Sequence, residues 1–235
     1  RSKEDLDNFS SLTEANTEIM GNIKFEARPP KGIQKKINQL KKKLKLTNQF
    51  VLVAGSTRPG EEKILLKLVQ KLNYKNLILA IVPRHPERFD EVEKIFQAQN
   101  LKIIRKSKLG KLSKAPKYIL VDTMGDLYEV YGIASLAVIG GSILDYGGQN
   151  PIEPMSLNIQ TAVGPSIYNF KDMVSDAEKN KAIFRFKDVV ELEQIIKNLL
   201  VEGKINQRIL RNAQQYINKS SGSTDQIVRL INQYL

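Results

Sequence analysis

Short apolar runs alternate with amphipathic segments from residue 50 onward. Four runs are rich in aliphatic residues and are typical of buried parallel strands, at residues 50–55, 77–82, 118–121 and 136–139. Apolar residues then recur at helical spacing, which predicts helices at residues 61–72, 86–96 and 189–201. Strands separated by helices of this length predict an α/β fold, a Rossmann-like open parallel sheet with helices on both faces.

The rest of the pattern divides the chain into a short segment and one domain. Residues 160–164 and 182–186 are strand-like, and further helices are predicted up to Leu235. The first thirty residues differ, because a short helix-like stretch at 4–12 is followed by Pro29-Pro30, a pair that suits a linker. We therefore expect an approach segment over residues 1–30 and a single Rossmann-like domain over residues 31–235.

Composition removes several classes of function. The chain has no Cys and one His, which excludes thiolate catalysis, a disulfide framework and a multi-histidine metal site within it. The apolar runs are far shorter than the ~20 residues that cross a bilayer. The N-terminus does not resemble a signal peptide, so we expect a soluble chain.

Basic residues are concentrated in two segments. The net charge is +12, and residues 27–60 and 101–117 hold nine and seven Lys or Arg residues, with no acidic residue in either segment. Such a field favours a polyanionic partner: nucleic acid, an anionic membrane or an acidic substrate. A solvated lysine-rich helix face accounts for the same pattern equally well.

The loops after the strands are the candidate site, because ligands bind open α/β sheets outside the carboxyl ends of the strands. The loop at residues 55–62 has two glycines spaced as in a phosphate-binding P-loop, but Glu61 replaces the lysine and would repel a phosphate. Ser56 and Thr57 could donate to an anion at the start of the next helix, or could simply cap that helix.

The loop after the second strand reads Pro83-Arg84-His85-Pro86. Arg84, fixed between prolines at the end of a strand, suits bidentate contact with phosphate or carboxylate. His85 could pair with a phosphate or act as an acid or base, and a structural role in a proline-rich turn explains it as well.

Two further loops follow the third and fourth strands. In the first of them, Asp122 and Thr123 are candidate helix caps, and Met124 offers an apolar surface on which a nucleobase could lie. In the second, four glycines between residues 140 and 148 expose backbone amides.

Asn150 and Glu153 end this glycine-rich loop. They have the spacing of a capping box, with Pro151 as the first helical residue. Glu153 also suits the two hydroxyls of a ribose. No G-x-G-x-x-G follows a strand, and no Ser nucleophile is spaced to pair with the lone His, so nucleotide binding without an obvious base remains.

Segments of these loops, taken in order, resemble the Kdo (3-deoxy-D-manno-octulosonic acid) transferases of lipopolysaccharide biosynthesis. The segments are GSTRPGEE at 55–62, PRHPERF at 83–89, DTMGDL at 122–127, GGS at 140–142, GGQNPIEP at 147–154 and Asn169-Phe170. Residues 21–25 resemble the family's interdomain segment. Arg58 and Gln149 stand where many members have His, which argues against proton transfer at either position.

The resemblance implies the C-terminal, donor-binding domain of a two-domain GT-B glycosyltransferase. It implies binding of CMP-Kdo and transfer of Kdo to a lipid A precursor at the cytoplasmic face of the bacterial inner membrane, with inversion and without a metal or other cofactor. The N-terminal half of such an enzyme holds the membrane anchor, the acceptor site and the catalytic base. No catalytic residue is therefore expected in this chain, which should bind donor without turnover.

The resemblance also assigns roles within the loops. Arg84, Ser56 and the amides near Gly141 and Gly148 would stabilise charge on the leaving phosphate, and Glu153 would bind ribose with Asn150 positioning its loop. The complete predicted donor site is Ser56, Pro83, Arg84, His85, Met124, Gly125, Gly141, Gly148, Asn150 and Glu153.

Three expectations concern partners. The basic segments fit an enzyme that works at an anionic membrane surface. One alternative is a GT-B enzyme that uses a UDP- or GDP-sugar, with the same Glu on ribose. A nucleic-acid-binding module ranks lower, because aromatic residues are 7% of the chain and the lysine runs contain almost none, so we expect no nucleic acid as partner.

Overall fold

The computed structural model describes residues 3–14, 17–19, 22–201, 203, 205–220 and 222–233. Gly21 of the predicted interdomain segment and Leu235 at the end of the chain lie outside the described residues.

Seven strands form one sheet in the order β3-β4-β2-β1-β5-β6-β7, and every neighbouring pair is parallel. The strands are β1 (Phe50–Thr57), β2 (Leu77–Pro83), β3 (Ile104–Arg105), β4 (Tyr118–Leu120), β5 (Leu136–Ile139), β6 (Thr161–Val163) and β7 (Phe184–Arg185). The helices are α1 (Lys3–Ser10), α2 (Ile33–Lys43), α3 (Glu61–Leu72), α4 (Phe89–Gln97), α5 (Leu127–Tyr131), α6 (Ile152–Ser156), α7 (Lys171–Lys179), α8 (Val189–Val201), α9 (Gln207–Ser220) and α10 (Ser223–Ile231).

The core lies on both faces of the sheet. Along β1, Phe50, Leu52 and Ala54 belong to the apolar cluster that includes α3, α4 and α8. Val51 and Val53 belong to the opposite cluster, with α2 and α5. Because successive side chains of a strand point to opposite faces, a strand covered on both sides reads as a continuous apolar run.

The strand order creates a switch point at the centre of the sheet. From β1 the chain moves to one side through β2, β3 and β4, and from β5 it builds the other side. The connections that leave the carboxyl ends of β1 and β5 therefore diverge, which opens a crevice between them. The loops after these two strands are the ones richest in candidate site residues.

The predicted fold class is confirmed, and most element bounds agree with the pattern. The fourth predicted strand and the helices at 61–72 and 189–201 have the predicted bounds. The first strand runs on to Thr57, and the helix predicted at 86–96 begins as a 3-10 turn at Pro86–Arg88. Strand β3 and helices α2 and α7 were not predicted, and α5 was anticipated only through the candidate caps at Asp122 and Thr123.

The segment before the domain packs onto it. A short 3-10 turn, Ile23–Glu26, buries Phe25 against Tyr216 of α9, with ring centroids 5.3 Å apart. The carboxylate of Glu26 accepts a hydrogen bond from the amide of Gly222, before α10. Residues 22–26 thus contribute to the core near the C-terminal helices. None of the helices in the described ranges has both the length and the apolar character needed to cross a membrane.

Candidate functional site

Glu61 joins the two loops that border the crevice. Its side chain, at the start of α3, is fully buried, and its carboxylate accepts hydrogen bonds from the amides of Gly141 at 2.7 Å, Arg58 at 2.9 Å and Ile143 at 3.0 Å. Burial raises the pKa of Glu61, although the surrounding amides act to lower it. The carboxylate faces these amides, so its role is to hold the loop after β5 against the loop after β1.

The next residue, Glu62, anchors the loop after β2 in the same manner. Its buried carboxylate forms a bidentate pair with Arg88, at 2.7 and 3.1 Å. The hydroxyl of Thr57 donates to the same carboxylate at 2.7 Å. Paired burial of this kind fixes the ends of β1 and β2 relative to each other.

Ser56 and Thr57 do not cap α3, which excludes one of the two roles considered for them. Both residues belong to β1, and α3 begins after Gly60, whose positive φ of 93° lets the chain turn into the helix. Ser56 is buried and has a φ of 58°, at a break in the β1–β2 register. The Thr57 hydroxyl is already engaged by Glu62. Donation from Ser56 to an anion stays a prediction.

The loop after β2 presents Arg84 at the carboxyl edge of the sheet. Pro83 ends the strand, and the amide of Arg84 donates to the carbonyl of Thr57 at 3.0 Å, which fixes the backbone while the side chain is exposed. The positive charge of Arg84 lowers the pKa of Glu153, which the larger effect of burial raises. Arg84 and Glu153, 69 positions apart in the sequence, therefore share one electrostatic environment.

His85 pairs with Arg58 where the loop after β2 meets the loop after β1. The Nη1 of Arg58 lies 2.6 Å from the Nε2 of His85. Because a guanidinium only donates, the Nε2 of His85 is the acceptor of this hydrogen bond. The Nδ1 lies 3.9 Å from a carboxylate oxygen of Glu87. His85 thus orients the Arg58 side chain.

Two residues that depart from the family pattern meet at one point. The Cγ of Arg58 lies 3.4 Å, and the Nε2 of Gln149 lies 3.5 Å, from the position that a β-carbon on Gly141 would take. The Arg58 guanidinium also lies 5.0 Å from the ring centroid of Tyr146. Arg58, Gln149 and Tyr146 therefore surround the glycine-rich turn, although 91 positions separate Arg58 from Gln149.

The amides of Gly141 and Gly148 are not free to bind a phosphate, which corrects the prediction for these two groups. The Gly141 amide donates to Glu61, and the Gly148 amide donates to the Gly141 carbonyl at 2.7 Å. In the part of the chain that the structure describes, the neighbouring amides of Ser142 and Gln149 have no hydrogen-bond partner. Ser142 is fully buried, whereas Gln149 is partly exposed, so of these two amides that of Gln149 belongs to a residue at the surface.

A second loop supports the glycine-rich turn from the far side. The side chain of Asn169 donates a hydrogen bond to the carbonyl of Tyr146 at 3.0 Å. The backbone amide of Asn169 donates to the carbonyl of Gly147, also at 3.0 Å. The hydroxyl of Ser166 accepts from the Gly147 amide at 2.8 Å. The resemblance included Asn169 without a role, and the structure shows that this residue holds the turn in shape.

Asn150 and Glu153 lie at the start of α6. The Oδ1 of Asn150 accepts from the amide of Ile152 at 3.0 Å, but the residue that caps the helix is Pro151, so the N-cap predicted at Asn150 lies one position too early. The helix itself begins at Ile152, one residue later than expected for Pro151 as the first helical residue. Glu153 is partly buried, and the Asn150 side chain, like Arg84, lowers the pKa that burial raises.

Met124 and Gly125 lie in the loop after β4, next to β2 in the sheet. Met124 is 67% exposed, which leaves its side chain available for contact, and Gly125 has a φ of 80°. Asp122 does not cap α5 as predicted, because it accepts from the amide of Ser107 at 2.9 Å and α5 begins after Asp126. No hydrogen bond joins Met124 to the other predicted residues in the described ranges.

The second basic segment is partly neutralised within the domain. Arg105 forms ion pairs with Asp90 and with Glu93, the latter at 2.7 Å. Lys106 pairs with Asp126 at 2.8 Å and Glu129 at 3.1 Å. These two residues stabilise the fold. The lysines at 108, 111 and 114 are exposed. Within the described residues, no three carboxylates or imidazoles are grouped as a metal site would require.

Solved structures include a protein similar to this chain over most of its length. It is the C-terminal CMP-Kdo binding domain of WaaA from Acinetobacter baumannii, which shares 32% sequence identity and superposes with a TM-score of 0.73. The match covers 79% of this chain and 97% of that domain.

Curated relatives agree with this likeness. The 3-deoxy-D-manno-octulosonic acid transferase of Haemophilus influenzae is 30% identical over 220 residues, which are 92% of this chain and 51% of the relative. The Aquifex aeolicus protein of the same name is 32% identical over 202 residues, 85% and 52% of the two chains. The chain thus spans about half the length of the curated relatives it matches.

The sequence matches no protein-family model. Its likeness to the WaaA domain extends over nearly the whole of that domain, and the fold and the loop segments agree with it. The chain therefore belongs to the 3-deoxy-D-manno-octulosonic acid transferase family and is similar to the C-terminal domain of such an enzyme.

Proposed function

We propose that this chain binds CMP-Kdo as the donor domain of a Kdo transferase. The observation that carries the proposal is that Glu61 and Glu62 hold the loops after β1, β2 and β5 together at the carboxyl edge of the sheet, beside the switch point where nucleotides bind such folds. Arg84 follows β2 and Glu153 follows β5 at this edge. The similarity to a CMP-Kdo binding domain supports the choice of nucleotide.

Each proposed contact follows from the chemistry of the side chain. The exposed guanidinium of Arg84 would hold the donor phosphate, and the amide of the partly exposed Gln149 would add a donor. The carboxylate of Glu153 would accept from both ribose hydroxyls, with Asn150 fixing the start of α6. Met124, with its exposed thioether, would lie against the base with Gly125.

Transfer would depend on charge stabilisation and not on a base in this chain. When the bond to Kdo breaks, negative charge develops on the CMP phosphate, and donors already aimed at that position lower the barrier. Arg84 and the loop amides are held ready by the Glu61 and Glu62 contacts. The acceptor hydroxyl needs a general base, which we assign to another part of the enzyme. We accordingly propose an inverting reaction without metal and no turnover by this chain alone.

The acceptor and location follow from the family and are part of the proposal. A lipid A precursor would be presented at the cytoplasmic face of the inner membrane, and the exposed lysines would favour an anionic surface. Sedimentation with vesicles tests this surface: binding that does not depend on anionic lipid would leave the lysines as a solvated face.

Calorimetry with CMP tests the donor site directly. Arg84→Ala removes a charge-assisted contact of about 1.5–3 kcal/mol, so the affinity should fall about 10- to 150-fold. Glu153→Ala should also weaken binding, whereas Arg28→Ala, at a side chain 77% exposed and outside the site, should not. Unchanged CMP affinity in both Arg84→Ala and Glu153→Ala would contradict the proposed site.

A further inference from the structure

Arg58 has a cationic side chain that the domain holds in place and does not neutralise. Its guanidinium is fixed on one side by His85, at 2.6 Å from Nη1, and lies 5.0 Å from the ring centroid of Tyr146. Its backbone is fixed too, since the Arg58 amide donates to Glu61 at 2.9 Å. The side chain is therefore oriented in advance of any ligand.

One buried donor of this guanidinium remains unused. The Nε of Arg58 is buried without a hydrogen-bond partner. Across the described ranges, Arg58 forms no ion pair, whereas the buried Arg88 pairs with Glu62 and Glu91. A partly buried charge without a partner is costly, so the arrangement fits a group that receives its counter-charge from a ligand.

The remaining donors favour a planar anion. With Nη1 engaged by His85, Nε and Nη2 form the free side of the fork, and that side matches the two oxygens of a carboxylate. Arg84 follows the adjacent strand, β2, whose last residue, Pro83, pairs with Thr57 of β1 beyond the register shift at Ser56. Neighbouring strands lie about 4.8 Å apart, so the two arginines are close enough for one ligand with two negative groups.

We propose that Arg58 binds the carboxylate of an acidic sugar while Arg84 binds the phosphate of the same nucleotide donor. Arg58 would thus select a sugar acid over a neutral sugar, and His85 and Tyr146 would position it. This inference rests on the proposed function, because it divides the two negative charges of the donor between the two arginines.

The test compares the affinities of CMP and CMP-Kdo for the wild-type chain and two variants. In wild type CMP-Kdo should bind more tightly than CMP. Arg58→Gln should reduce this preference at least tenfold and change CMP affinity by less than threefold. Arg84→Gln should weaken both ligands alike and leave the preference intact.

A third variant guards against misfolding. Arg58→Lys keeps the charge but loses the fork, so its preference for CMP-Kdo should lie between those of wild type and Arg58→Gln. Melting temperatures measured for each variant show whether it has folded. If Arg58→Gln does not fold, Arg58→Lys replaces it in the test, and its preference for CMP-Kdo over CMP should be clearly below that of wild type.

The possible failures are distinguishable. If wild type binds neither ligand, the proposed function fails and this inference fails with it. If wild type prefers CMP-Kdo and both Arg58 variants keep the full preference, or lose affinity for CMP and CMP-Kdo equally, only the role of Arg58 is overturned. The same conclusion follows if wild type binds both ligands with equal affinity.

Discussion

Replacing Glu61 by Gln should loosen the two loops that border the crevice. One carboxylate oxygen accepts from the amides of Arg58 and Gly141, and the other accepts from Ile143 and, at 3.4 Å, from Leu144. A Gln side chain has one acceptor oxygen, so two amides would face its NH₂ group whichever way it turns.

The expected loss follows from these contacts. A hydrogen bond to a charged group is worth about 1.5–3 kcal/mol, so two lost bonds amount to about 3–6 kcal/mol. Removing a buried charge offsets part of this, which leaves a net destabilisation of about 3 kcal/mol. For a domain of this size, that corresponds to a fall in melting temperature of about 6–12 °C.

Thermal melts followed by circular dichroism measure this change. Glu87→Gln is the matched control, because Glu87 is 74% exposed and its replacement should change the free energy of unfolding by less than about 0.5 kcal/mol. CMP affinity should fall in Glu61→Gln as the loops lose their relative position. A variant that melts within about 2 °C of wild type and binds CMP normally would refute the role given to Glu61.

The pH dependence of the stability of wild type and Glu61→Gln gives a second test of the role of Glu61. Burial raises the pKa of Glu61 in the folded chain above its value in the unfolded chain, so the folded state binds the proton more tightly. The stability of the wild type should therefore fall as the pH rises from the ordinary glutamate pKa to the raised value. Glu61→Gln lacks this contribution, so the gap between the two proteins should be wider at the acidic end of that range.

Three further changes should have measurable effects. Burial raises the pKa of Glu153, so its carboxylate should be protonated at a higher pH than that of an ordinary Glu. Affinity for CMP should therefore fall on mild acidification. Calorimetry at several pH values should show this loss in wild type and not in Glu153→Gln. Gly140→Ala would bring a β-carbon within 2.3 Å of the carbonyl oxygen of Ser56, so the melting temperature should fall by several degrees. An unchanged melting temperature would contradict the close approach of β1 and β5. Arg88→Ala would leave the carboxylate of Glu62 buried without its ion-pair partner, so the free energy of unfolding measured with urea should fall by about 3–5 kcal/mol. A fall of less than about 1 kcal/mol would contradict that pairing.

Strong local patterns made the sheet predictable. Strands β1, β2 and β5 are continuous apolar runs because both faces of the sheet are covered, and turn residues mark their ends. Strand β3 has two residues, and α2 is rich in lysine, with only Ile37 and Leu40 buried. A strand of two residues carries little periodic signal, whereas Ile33, Ile37 and Leu40 recur at helical spacing, so α2 could have been predicted from the pattern.

The internal contacts of the site were beyond sequence reasoning for a different reason. The Glu61 carboxylate meets amides that lie 80 or more positions away, and Arg58 meets His85 across 27 positions. Such pairs form only when the strand order brings the loops together. One signal was present, since two consecutive Glu residues at a helix start are unusual when both are buried, but burial itself could not be inferred from the sequence.

The role of the amides shows the same limit. The glycines at 141 and 148 predicted amides free to bind a ligand, but the turn uses both of these amides internally. In the described ranges the amides of Ser142, which is fully buried, and Gln149, which is partly exposed, have no partner. Local sequence gives the flexibility of such a loop, and only its folded path decides which amides point outward.

Selectivity between CMP and UMP is the most direct test of the central claim that this chain binds a cytidine nucleotide donor at the β1–β5 crevice. In calorimetry on the 235-residue chain, the account predicts saturable binding of CMP, markedly weaker binding of UMP, and loss of CMP binding in Glu153→Ala. Equal binding of CMP and UMP, or CMP binding that survives in both Arg84→Ala and Glu153→Ala, would contradict it.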